Sequence, residues 1–392
     1  MTDAVHVAGN DTEGDVLNSR ETLMRSVVLV SAVLIGAATA APLHDLQSKI
    51  DDAIRPFLAD KPFAAVVVGV VTPRESRVFG YGSVSSGGRD QAPDGTTLFA
   101  LGSLTKAYTG VLLADLARAG IVKLDDPAQR SLPPDLVLPQ RGDRPITLLD
   151  LATHHSGLPV QPPNLGWRNL LNGLSGSLSN PYAHYDRARL ARELAETELE
   201  SDPGAKFEYS NLGVGLLGHA LATAGGAESF DAILTARVCQ PLGLNDTRIR
   251  LSEEQRQRLA PGHNKSGKAA PHWEFATLEA CGGLFSTADD QVRFLRANLG
   301  LQPTPLFAAL TDSHEPRRGT SHEGVRVGLG WMNQPLGPDS KSRVVWHNGG
   351  TFAAHSFLGF VPDSQVGIVI LNNSDHKTEP IAFGLLRKLA AH

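Results

Sequence analysis

Hydrophobic positions along the chain change period twice, and the changes outline the fold. From Leu43 to about Leu58 they recur every three or four residues (Leu43, Leu46, Ile50, Ile54, Phe57), the stripe of an amphipathic helix. A β-branched run over 64–72 (Val66, Val67, Val68, Val70, Val71) then reads as a strand, and after the turn Pro73-Arg74-Glu75 a second strand covers 77–84. Helical spacing returns at Phe99, Leu101 and Leu104, runs on through Val111, Leu112, Leu113, Leu116 and Ala117, and stops at Gly120. Two proline-rich stretches, 125–145 and 157–181, are poor in helix signals, and the second predicts a lid. Helices are expected over 186–199, 212–223, 230–238 and 287–299, the last capped by Thr287. Four short strands follow over 325–331, 343–348, 356–361 and 366–371, separated by Gly, Pro, Asp and Asn turns, and a helix from Pro380 to Ala391 closes the chain. Strands at both ends with helices between them predict an α+β fold: an antiparallel sheet flanked by N- and C-terminal helices, plus a mainly helical lobe. The expected organisation is one domain over 41–392, with an α/β lobe from about 41–100 and 285–392 and a helical lobe from about 105–284.

The first 40 residues follow a different logic. Residues 1–23 are polar and acidic, but Met24-Arg25-Ser26 opens a largely apolar run from Val27 to Ala38, followed by Ala38-Thr39-Ala40 before Ala41. A basic start, a short apolar core and an Ala-x-Ala site describe a secretory signal peptide, with Met24 as a possible true start. The apolar run is too short for a spanning helix, so no stable membrane span is expected and the mature chain is placed in the periplasm or outside the cell. Net charge is −5 over 392 residues with Lys and Arg dispersed, which excludes a nucleic-acid-binding stripe and a polybasic membrane patch. Cys239 and Cys281 are too few for a disulfide framework and have no metal-ligand spacing; they read as separate buried thiols, with a disulfide left open by export.

Three short stretches could carry chemistry. Ser103 and Lys106, in Gly102-Ser103-Leu104-Thr105-Lys106, put a hydroxyl and an amine one helical turn apart. A serine attacks a carbonyl only when a neighbouring group takes its proton, although Ser-x-x-Lys alone also fits a helix cap beside a solvated lysine. Tyr209-Ser210-Asn211 offers a phenol that can serve as a base beside an ammonium, and an amide that can hold both the lysine and a substrate carbonyl. His347-Asn348-Gly349-Gly350 ends an apolar strand. A donor there can bind a substrate carboxylate or polarise the tyrosine, and the glycines admit substrate backbone and free an N–H for an oxyanion.

Other motifs fall away. Gly213 to Gly218 matches G-x-G-x-x-G, but no strand precedes it and the glycines suit close helix packing. Gly262 to Lys268 resembles a phosphate loop, but Ala269 stands where its metal-binding hydroxyl belongs. Neither G-x-S-x-G nor H-E-x-x-H occurs, and the adjacent His154-His155 is a poor metal pair; no metal and no cofactor are expected.

Ser-x-x-Lys, then Tyr-x-Asn, then a basic residue and x-Gly on a late strand resembles, in that order, the penicillin-recognising serine hydrolases. The resemblance is to their class C β-lactamase branch with its DD-peptidases, D-aminopeptidases and esterases. It spans about residues 43 to 390 and includes the connectors 151–159, 241–244 and 282–287. It implies a β-lactamase/transpeptidase-like fold, with Ser103 acylated, Lys106 and Tyr209 sharing the proton transfers, and Asn211 touching Lys106 and the substrate amide. His347, Asn348, Gly349 and Gly350 would bind substrate, and the N–H groups of Ser103 and Gly350 would form the oxyanion hole. The third motif departs from the family's usual Lys-Thr-Gly or Lys-Ser-Gly, which weakens the case for a carboxylate-bearing β-lactam. The implied substrate is a β-lactam or a D-amino-acid peptide of the cell wall, with a carboxylic ester as the alternative and a catalytically silent binding module as the alternative of another class.

Overall fold

The first apolar stripe forms α1 (Leu43–Leu58), and the valine run forms β1 (Ala65–Val71), buried along its whole length. This computed structural model describes residues 43–86, 89–162, 165 and 180–391. The proposed signal peptide and most of the expected lid lie outside the described residues.

β1 pairs on one side with β2 (Ser76–Gly82) and on the other with β12 (Val366–Asn372), in the register Val66↔Asn372. From β12 the sheet continues through β11 (His355–Val361), β10 (Arg343–Gly350) and β9 (Met332–Pro335) to β8 (Arg326–Val327) and β7 (Arg318–Gly319). The eight strands run in the order β2-β1-β12-β11-β10-β9-β8-β7, and every pair is antiparallel. Two short pairs stand outside it, β3 (Val84–Ser86) with β4 (Arg89–Gln91) and β5 (Leu98–Ala100) with β6 (Phe285–Thr287). Strands from both ends of the sequence therefore share one sheet, matching the α+β expectation.

Alternating side chains give that sheet two apolar faces. Val66, Val68, Val70, Ile368 and Ile370 pack with Ile50 and Ile54 of α1 and Leu385 and Leu386 of α10 (Glu379–Ala390). Val67, Val71, Val345, Leu358 and Val369 join the larger core of the helical elements. These are α2 (Thr105–Arg118), α3 (Leu148–Ala152), α4 (Arg187–Ala195), α5 (Asn211–Ala224), α6 (Phe230–Leu234), α7 (Glu253–Gln257), α8 (Ala288–Asn298) and α9 (Phe307–His314). Thr287 caps α8 as expected, its hydroxyl accepting from Asp290 N.

One expected strand is not where the apolar pattern put it. Residues 328–331 form a turn between β8 and β9, because Gly328 and Gly330 serve close approach rather than pleat. Gly330 has φ +71°, and a Cβ there would lie 2.1 Å from the Lys106 carbonyl oxygen. Val327, Leu329 and Trp331 are buried, so the alternation is real, but it packs a turn onto α2. Gly215 and Gly218 do pack helix α5 closely, since Cβ atoms there would lie 2.4 Å from Leu278 and Ala280 side-chain atoms.

Candidate active site

Ser103 occupies a single 3-10 turn, Gly102–Leu104, that runs directly into α2, so Lys106 falls in the first turn of that helix. The turn is held by the sheet. Gly102 has φ +52°, and a Cβ on it would stand 3.0 Å from Gly350 N; only glycine allows both the conformation and the contact. A Cβ on Gly349 would stand 1.8 Å from Leu101 O. That carbonyl accepts from Ser356 Oγ at 2.7 Å, and Gly102 O accepts from Thr105 Oγ1 at 2.7 Å.

Lys106 is buried, and its Nζ donates to Ser103 Oγ at 3.1 Å, Asn211 Oδ1 at 2.7 Å and Cys281 O at 2.5 Å. Three acceptors match the three donors of an ammonium, which fixes the group in space. Asn211 is delivered by a local signal: Ser210 caps α5, its Oγ accepting from Gly213 N at 2.8 Å, and Asn211 follows as the first helical residue. Tyr209, just ahead of the cap, is half-buried, with Lys106 Nζ 5.0 Å from its ring centroid. Residues from two distant segments, Ser103 with Lys106 and Tyr209 with Asn211, thus share one site.

His154 also belongs here, although its sequence context marks it only as half of an unconvincing metal pair. Its ring lies 4.4 Å from that of Tyr209, and its Nδ1 accepts from Ser210 N at 3.2 Å. The ring proton therefore sits on Nε2, which is buried without a partner. Burial, then the charge of Lys106, holds His154 well below the ordinary histidine range, so a neutral imidazole packs against the tyrosine. Its backbone has φ 59°, a conformation rare outside glycine, and no sequence period signals that.

The third stretch divides between two faces, as neighbours on a strand must. His347 points with Val345 toward the helical core. Burial and then Lys106 lower its pKa to about 3, and its Nδ1–H donates to Asn348 O at 2.5 Å. The remaining nitrogen, Nε2, is buried without a partner and offers a lone pair rather than a donor. Asn348 points the other way, its Nδ2 donating to Glu379 Oε1 at 2.6 Å. Burial keeps a single proton on the ring, and in this structure that proton is spent on backbone.

Ser103, Tyr209 and 347–350 line a groove of ≈620 Å³ together with Phe207 and the hairpin tip 320–325. Among the described residues no three His, Cys, Asp or Glu side chains are disposed to hold a metal ion, and both cysteines are free and buried.

A family model described as Beta-lactamase matches residues 50–391. The chain is 27% identical over 369 residues to the D-alanyl-D-alanine-carboxypeptidase/endopeptidase AmpH of Escherichia coli (strain K12), covering 90% of this chain and 91% of that protein. It is 26% identical over 365 residues to a beta-lactamase of Pseudomonas fluorescens, covering 85% of this chain and 94% of the relative. Among solved structures, a class C beta-lactamase superposes with a TM-score of 0.75 at 22% identity, covering 89% of this chain and 98% of that one. With nearly all of its described length matched by one family model, and the same fold seen in a solved relative, the chain belongs to the β-lactamase family.

Proposed function

We propose that this serine hydrolase works through an acyl-enzyme on Ser103, in the periplasm or outside the cell, on a β-lactam or a D-amino-acid amide. The observation that carries the reading is the buried Lys106 Nζ, which bonds Ser103 Oγ and Asn211 Oδ1 together. Within the Lys106–Tyr209 pair the ammonium supports the Tyr209 oxygen as the base; Ser103 Oγ attacks the carbonyl carbon and its proton passes to that oxygen. The N–H groups of Ser103 and Gly350 receive the oxyanion, the pair returns the proton to the departing nitrogen, and the acyl group stays on Ser103. Water, deprotonated by the same pair, then releases the acid. The names of the relatives, a carboxypeptidase/endopeptidase and a beta-lactamase, support the substrate class.

Incubation with a fluorescent penicillin, followed by peptide mapping, tests this. The expected result is an acyl adduct on the peptide containing Ser103, persistent for a DD-peptidase and quickly lost with turnover for a β-lactamase. An adduct elsewhere, or no adduct and no hydrolysis of a nitrophenyl ester, would sink the enzyme reading.

A second reading, ester hydrolysis, is favoured by one specific feature. His347 spends its Nδ1–H and Asn348 one of its two Nδ2–H donors inside the protein, and among the described residues lining the groove none is Lys or Arg. A substrate carboxylate finds no cation there except Lys106, whose three donors are engaged. His347→Ala is accordingly expected to lower kcat/KM about tenfold, and equally on a carboxylate-bearing β-lactam and a neutral ester, as loss of one buried hydrogen-bonding group would. A loss confined to the β-lactam would return carboxylate binding to His347.

A further inference from the structure

Two segments that frame the Ser103 groove also line a second cavity. Phe207, Tyr209 and the hairpin tip 320–325 face the groove, whereas Gly204, Arg318 and Arg326, from the same two segments, face a separate cavity of ≈570 Å³. Arg144, Arg317 and His155 complete its wall.

The charges there do not balance. Asp150, with no exposed surface, takes a fork from Arg144 at 2.8 and 3.1 Å and a third bond from Arg318 at 2.7 Å. Burial pushes that carboxyl up, and the bonds from Arg144, Thr147 and Arg318 more than offset it, holding Asp150 below the usual range. Asp312 lies 3.6 Å from Arg317 and is shared with Arg118. Each of these carboxylates therefore faces two guanidiniums, and Arg326 pairs with no carboxylate among the described residues, donating only to Arg317 O at 3.1 Å. Nearby acids are already taken, Asp202 by Arg141 at 2.8 Å and Glu208 by Lys206 at 2.6 Å. Arg317 Nε is buried with no acceptor at all.

Arg144 is also held in place. Gly204 has φ +83°, and a Cβ on it would stand 2.8 Å from Arg144 Cζ, so the guanidinium rests directly on glycine backbone. A structural ion-pair network around Asp150 needs Arg144 and Arg318. It does not need Arg317 and Arg326.

We propose that this cavity binds a phosphate-type oxyanion, either the free ion or a phosphate monoester on a larger molecule. Guanidinium forks match the oxygens of such a group, and several preplaced cations favour a multiply charged ligand over a lone carboxylate. The site is independent of acyl transfer at Ser103, so its test does not rely on turnover.

Calorimetric titration of the full chain with inorganic phosphate, with sodium chloride at matched ionic strength as control, should show saturable binding and a phosphate-specific rise in Tm. The double variant Arg317→Gln, Arg326→Gln should bind phosphate at least tenfold more weakly, while circular dichroism and nitrophenyl-ester hydrolysis without phosphate stay unchanged. Equal effects of phosphate and chloride, or unaltered binding by the folded double variant, would overturn the proposal. Competition by glycerol phosphate would identify the monoester as ligand and its failure to compete would identify the free ion, either result upholding the site.

Discussion

Methionine at Lys106 should leave a folded protein at least about a thousandfold slower in kcat/KM than its parent, the upper part of the range for a proton-transfer group. The side chain is buried, so its stem is part of the packing, and methionine replaces that stem with little change in volume. What disappears is the nitrogen that joins Ser103 Oγ, Asn211 Oδ1 and Cys281 O. Ser103→Ala should cost more, on the order of a millionfold, because no other hydroxyl is placed to accept the acyl group. Groups acting as one unit are not additive, so the Ser103→Ala, Lys106→Met double variant should be no slower than Ser103→Ala alone. Steady-state hydrolysis of a nitrophenyl ester, with circular dichroism to check folding, measures all three. A Lys106→Met enzyme within tenfold of the parent would show that Ser103 is deprotonated by some other group.

Gly349→Ala and Gly350→Ala should behave very differently although the residues are neighbours. A Cβ on Gly349 meets Leu101 O at 1.8 Å and Ser356 Oγ at 2.7 Å, and the carbonyl is backbone that cannot rotate away. Relief requires β10 to back off the turn that carries Ser103, at a cost of about 3 kcal/mol for an overpacked contact. An ångström of displacement there is expected to remove about a hundredfold of activity on top. On Gly350 the nearest atom to a new Cβ is His355 Cδ2 at 3.5 Å, an ordinary contact, and the N–H is retained. Thermal melts and kcat/KM should therefore show Gly349→Ala impaired in both and Gly350→Ala close to the parent in both. Equal damage at the two positions would mean that β10 is not seated on Leu101.

What the sequence reveals depends on how local its cause is. α1, β1, β11, β12 and α10 were legible because each has a clear period, and Thr287 because a cap is local chemistry. The Ser103–Lys106 pair was legible from a three-residue spacing, and the companionship of Tyr209, Asn211 and His347 came only from their order along the chain. Three features were not legible. The side to which Asn348 points depends on the register of β10, and a shift by one residue would exchange it with His347. The packing of His154 against Tyr209 depends on a positive φ that no hydrophobic pattern encodes. The 328–331 turn alternates like a strand because Leu329 is buried against α2 and Trp331 against Phe294 of α8, and its glycines were the only hint that backbone, not a pleat, filled the space. The arginine cavity joins residue 144 to residues 317, 318 and 326, so dispersed charge in the sequence became concentrated charge in space.

The seating of the Ser103 turn on β10 also governs when the protein can become competent. The turn lies near residue 103, but the strand that completes it begins at Arg343, and β1, paired early with β2, finds its second neighbour only at Val66↔Asn372. Contacts of such sequence separation cost chain entropy before they return any stability, and they form late in folding. A growing polypeptide therefore holds its nucleophile, lysine, tyrosine and amide long before it has a site, and no fragment ending short of β12 closes the sheet. Assembly of the catalytic centre is thereby tied to completion of β12, and a product that stops before it is inert by topology.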